Sequence, residues 1–207
     1  DLSSNNIYQT QARSTTLIGV SIAAGSNHTV SSNNFYQTTG TLTAAYTAIS
    51  ITGSGNNQSI TNNSIGGTNS SRTGTALTVD ASSTNLTGIA LTVGTTTATK
   101  VDSNYISNVA QINVTSGTVF GINISGGNVN VGSIYKNTFG GAAISGISSD
   151  TIRSNYDNGI IANGSTGIVK IQNNIISNVA YYRNGGDRTC GIYVTGAGTD
   201  TIQNNIV

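Results

Sequence analysis

The chain has no proline, methionine, tryptophan or glutamate, one cysteine, one histidine, and only 7% charged residues over 207 positions. Glutamate and lysine normally furnish the solvent faces of helices, so their scarcity argues for very little helix. The lone cysteine, Cys190, excludes an internal disulfide and a thiolate metal cluster, and its neighbours in TCGIYV mark it as a small core residue. No stretch approaches the roughly 18 apolar residues of a membrane helix, and the opening DLSSNN has neither the basic start nor the apolar core of a signal peptide. A net charge of +1 leaves no electrostatic footprint for nucleic acid or an acidic membrane. Low charge here does not mean disorder, because Ile, Val and Thr are abundant and alternate with polar residues.

What is present is repetition, the feature that fixes architecture before any residue chemistry. SSNNIYQT (3–10), SSNNFYQT (31–38), ITNNSIGG (60–67), VDSNYISN (101–108), IQNNIISN (171–178) and IQNNIV (202–207) are versions of one phrase, with degenerate copies at IYKNTFGG (134–141) and IRSNYDNG (152–159). Each places an apolar residue three positions before an asparagine. Aligning on one asparagine per copy gives Asn6, Asn34, Asn63, Asn104, Asn137, Asn155, Asn174 and Asn205, separated by 28, 29, 41, 33, 18, 19 and 31 residues. The repeat runs from end to end, so 1–207 is expected to be one domain, and both ends fall mid-pattern, as in a piece of a longer repeat protein.

A second phrase precedes the asparagine at near-constant distance: GVSI (19–22), AISI (48–51), ALTV (76–79 and 90–93), GINI (121–124), GIIA (159–162) and GIYV (191–194). Between the two lie a turn rich in Gly, Ser, Asn and Thr and a second short strand. Strands this short cannot stand alone, so each circuit must hydrogen-bond to those above and below. Val20, Ile49, Ile122, Ile160 and Ile192 are expected in one inward column. Asn34, Asn63, Asn137, Asn155, Asn174 and Asn205 are expected to stack as a structural ladder, because asparagine tolerates a sharp corner and its amide can bond to the same amide one coil along. Length varies only after the asparagine, which predicts that the insertions 8–18, 36–47, 64–75, 105–120 and 176–190 lie along one side. The segment 76–103, carrying ALTV twice, is read as holding an extra, imperfect coil.

These phrases resemble the right-handed parallel β-helix of the pectate-lyase type, and the longer coils are similar to repeats of very large secreted bacterial surface and adhesin proteins. The resemblance implies an all-β, single-stranded solenoid of roughly seven to eight coils and an extracellular or cell-surface location. It implies no single function, since one solenoid serves lyases, hydrolases and passive stalks. The acids Asp1, Asp80, Asp102, Asp150, Asp157, Asp187 and Asp200 are spread along the chain without a pair, so no catalytic residue, cofactor or metal ligand is assigned. The expected function is therefore a non-catalytic structural or adhesive segment, with glycans or other surface proteins as partners. The alternatives are a polysaccharide lyase or glycoside hydrolase with its site near Asp150, Arg153, Asp157 and Arg183, or a carbohydrate-binding module. The richest loop, NVAYYRNGGDRTC (178–190), supplies the candidate binding residues Tyr181, Tyr182, Arg183, Asp187 and Arg188, because tyrosine stacks on sugars and arginine forks onto carboxylates.

Overall fold

A computed structural model describes residues 1–9, 15–38, 41–80, 84–112, 117–140, 152–154, 156–162, 167–177, 179–181, 189–195 and 198–207. Among these there is no helix; every element is a short strand, and every strand pairing is parallel. Four sheets result. Sheet A has seven strands: Leu2–Ser3, Thr29–Ser31, Ser59–Thr61, Thr99–Asp102, Val129–Val131, Val169–Gln172 and Thr201–Gln203. Sheet B has six, Asn6–Gln9, Asn34–Gln37, Ser64–Ile65, Tyr105–Ile106, Thr138–Phe139 and Ile175–Ile176. Sheet C also has six, Leu17–Ile22, Tyr46–Thr52, Leu86–Thr92, Thr118–Gly126, Tyr156–Ala162 and Thr189–Val194. Sheet D has four, Leu77–Asp80, Val109–Ile112, Ile152–Ser154 and Val179–Tyr181. Successive strands of each sheet come from successive circuits of the chain, an arrangement consistent with a parallel β-helix.

The core runs through the middle as columns of like residues. In sheet A, Val30, Ile60, Val101, Val131 and Ile171 pair in register and each is fully buried. In sheet C, Val20, Ile49, Ile122, Ile160 and Ile192 do form one column, with Ile89 between Ile49 and Ile122. The phrase in that coil is therefore GIAL (88–91), not ALTV (90–93) as the spacing suggested. A two-residue offset keeps the same face inward, which is why hydrophobic alternation alone does not detect it. The other ALTV belongs to sheet D, so 76–103 holds no extra coil: Asn63 bonds directly to Asn104.

The Gly or Ala that opens each sheet C phrase is a matter of space. A Cβ on Gly121 would stand 2.4 Å from the Gly159 carbonyl oxygen and 2.4 Å from a ring carbon of Phe139. The sheet B side chain crosses the interior and lies on this position; Gly19 receives Phe35 and Gly159 receives Ile176 in the same way. Cys190 pairs with Asn158 in the column of Phe120, Thr87, Thr47 and exposed Ile18. It is half-buried on the outer side of sheet C and not in the core.

Candidate functional site

The most completely built polar feature is the corner between sheets A and B. Asn5, Asn33, Asn63, Asn104, Asn137, Asn174 and Asn205 stack along the solenoid. The backbone N–H and the Nδ2 of each donate to the Oδ1 of the next, as in Asn63 to Asn104 at 3.1 and 3.0 Å, Asn104 to Asn137 at 2.9 and 2.9 Å and Asn174 to Asn205 at 2.9 and 2.9 Å. The second Nδ2 hydrogen goes to the carbonyl of the inward sheet A residue one coil back: Leu2, Val30, Ile60, Val101, Val131 and Ile171 in turn. Both lone pairs and both hydrogens of an interior rung are thereby used, the condition for burying an amide at no loss. Asn33, Asn63, Asn104, Asn137 and Asn174 are at most 1% exposed. The residue before the rung takes a left-handed conformation, φ 56–58° at Ser4, Ser32, Asn62, Ser103, Asn173 and Asn204, which small polar residues tolerate best.

Several assignments from the sequence need correction. Asn34 is not a rung: Asn33 holds the place, and Asn34 donates to Asn6 on the exposed side at 3.0 Å. Asn6 is displaced by Asn5 in the same way. The doubled asparagine of SSNN offers two registers, and the residue three places after an apolar one, Asn5 or Asn33, points inward. Asn155 lies outside the described residues; Asn137 bonds directly to Asn174. The supposed coil at IRSN is a sheet D strand, Ile152–Ser154, paired with Val109–Ile112 and Val179–Tyr181. In IYKN, Ile134 is 59% exposed, and the inward position of that coil is Val131.

Between Val131 and Asn137 the corner carries three residues more than elsewhere. Gly132 takes the left-handed turn, φ 72°, and Ser133–Lys136 project as a finger. Its exposed side chains are Ile134, Tyr135 and Lys136, with Tyr135 66% exposed. The finger is tied to both neighbouring coils. Asp102, buried at 3% exposure, accepts the Ile134 N–H at 3.3 Å; the Ser103 N–H donates to the Tyr135 carbonyl at 3.3 Å; and Asn173 Nδ2 donates to the Gly132 carbonyl at 3.1 Å. Burial raises the Asp102 carboxyl above the ordinary carboxylate range, opposed by backbone N–H groups of Ile134, Tyr135 and Ser133 and by Lys100.

Sheet B carries aromatic groups on its outer face. Tyr8 stacks on Tyr36 with centroids 5.1 Å apart and planes 13° from parallel, and the Arg72 guanidinium lies 4.0 Å over the Tyr105 ring while Nη1 donates to Ser64 Oγ. The repeated YQT of SSNNIYQT and SSNNFYQT held the signal for the tyrosine stack. Nothing in the sequence marked Arg72, brought in by the turn Asn69–Thr73 at φ 60°.

Each insertion expected on one side begins in a sheet B strand and continues toward the following sheet C strand, and in four circuits a sheet D strand lies between the two. Of the candidate binding residues, Tyr181 ends a sheet D strand opposite Ser154; Tyr182, Arg183, Asp187 and Arg188 lie outside the described residues. Asp150 does too. Arg153 pairs with Ala110 and Ala180 in sheet D, and Asp157 falls in the register of Val119 in sheet C. Among the described residues no three His, Cys, Asp or Glu side chains converge, and no helix is long and apolar enough to cross a membrane. Comparison with protein-family models, curated proteins and solved structures finds no match to this chain.

Proposed function

We propose that this chain is a non-catalytic structural and adhesive segment of a secreted bacterial surface protein, wound as a right-handed parallel β-helix of seven coils. The observation that carries the reading is the asparagine ladder. A buried amide that bonds to its neighbours one coil up and one coil down ties coil to coil, so the repeat makes length and stiffness without depending on surface charge. Support also comes from the economy of charge: Asp102 and Asp200 each hold a backbone N–H, of Ile134 and Val169, and among the described residues neither stands in a group of acids. Exposed, nearly uncharged walls suit a stalk that displays loops to surface glycans or neighbouring proteins.

Incubation with a panel of neutral, uronate and sulfated polysaccharides, followed by assay for new reducing ends and unsaturated products, separates this reading from the enzymatic one. No cleavage is expected. Turnover that Asp150→Asn, Asp157→Asn or Arg153→Gln abolishes would replace the stalk by a lyase or hydrolase.

A further inference from the structure

The chain has three lysines, Lys100, Lys136 and Lys170, and the fold gathers all of them around one spot. Lys100 pairs with Asn130, and Asn130 with Lys170, so the two exposed lysines stand on the outer face of sheet A one coil either side of a neutral residue. Two coil spacings put their backbones about 10 Å apart. The strand between them, Val129–Val131, runs out into the finger that carries exposed Ile134, Tyr135 and Lys136, and Ile168, 46% exposed, adds apolar surface beside Lys170. Asp102 is turned beneath the finger onto the Ile134 N–H, and Asp200, next to the strand that pairs with Lys170, accepts the Val169 N–H. Three lysines thus stand against two carboxylates, one of them, Asp102, already acted on by the charge of Lys100, so in a chain of net charge +1 the exposed charge of this face is positive and flanks the exposed Tyr135 ring.

From this juxtaposition we propose that the outer face of sheet A at Lys100 and Lys170, with the Tyr135 finger, binds a sulfated glycan. Lysine presents a compact point charge that takes a tetrahedral oxyanion from any side, without the bidentate geometry in which arginine's planar fork grips carboxylate or phosphate, and no arginine is among the described residues of this face. Two cations two coils apart, with a third on the finger of the circuit between them, are too sparse for nucleic acid, whose phosphates recur about every 3.4 Å along a strand. They suit a polymer charged on alternate sugars, with the Tyr135 ring stacking on an intervening ring. The inference rests on the adhesive half of the proposal above, and its failure is separately visible, because the cleavage assay does not read these residues.

The test is retention of the whole chain on immobilised heparin, with soluble heparin, dextran, polygalacturonate and single-stranded DNA as competitors. Heparin should compete best, and elution should move to lower salt with each Lys→Gln change, each weakening binding by about five-fold at low ionic strength. Tyr135→Ala should weaken it by a similar factor. The triple variant Lys100→Gln, Lys136→Gln, Lys170→Gln should lose retention while keeping the wild-type circular dichroism and melting temperature. Equal retention of the folded triple variant, no retention of the wild type, or better competition by polygalacturonate or DNA would each overturn the assignment.

Discussion

At the scale of single residues the fold depends on amides and on missing side chains. Asn104 makes five ladder contacts to Asn63, Ile60 and Asn137, so Asn104→Ala strips partners from buried N–H and C=O groups and should destabilise by about 2–4 kcal/mol in chemical denaturation. Asn104→Asp should be worse at neutral pH and recover as the pH falls. The carboxyl that replaces the amide is stable there only when protonated, so its folded pKa rises above the unfolded one and stability is lost as pH climbs through that interval. Gly121→Val meets the Gly159 carbonyl and the Phe139 ring and should cost about 1–3 kcal/mol by overpacking. Much of this was legible in the sequence. An apolar residue three places before an asparagine and another two places after it select the correct rungs Asn5 and Asn33, with Ile7 and Phe35 following. The doubled asparagine concealed the choice because the outer one also pairs with its copy, Asn34 with Asn6.

Among the elements, the corner finger makes the clearest predictions. Deleting Ile134–Lys136 leaves Val131-Gly132-Ser133-Asn137, matching Val101-Asp102-Ser103-Asn104 one coil earlier, so the variant should fold with melting temperature within a few degrees of wild type. Loss of folding would mean the finger is part of the core. Asp102 gives a pH signature with a definite sign. Its folded pKa lies above the ordinary 3.8 chiefly through burial, so the folded chain holds the proton longer and stability declines as pH rises from about 3.8. Asp102→Asn should remove that share of the slope in denaturation curves taken across the acid range; an unchanged slope would show that the carboxyl is solvated. Sheet D was the element least legible beforehand. Its strands sit in the segment whose length varies, and LTVD, VAQI, IRS and VAY share no phrase, so only pairing in space reveals them.

For the molecule as a whole, the columns and the ladder stand or fall with one register, in which the circuit after Asn137 closes at Asn174. The spacing of asparagines alone favoured two short coils there, through Asn155; the backbone pairing of Asn130 with Lys170 requires one. Disulfide trapping reads this directly, since neighbouring parallel strands lie about 4.8 Å apart and bridged Cα atoms about 4.4–6.8 Å. In a Cys190→Ser background, cysteines at Lys100 and Asn130, or at Asn130 and Lys170, should oxidise completely in the native chain and leave its circular dichroism unchanged. Failure of both pairs, or a bridge from Asn130 to Thr151 in place of Lys170, would contradict the stacked circuit on which the rest depends.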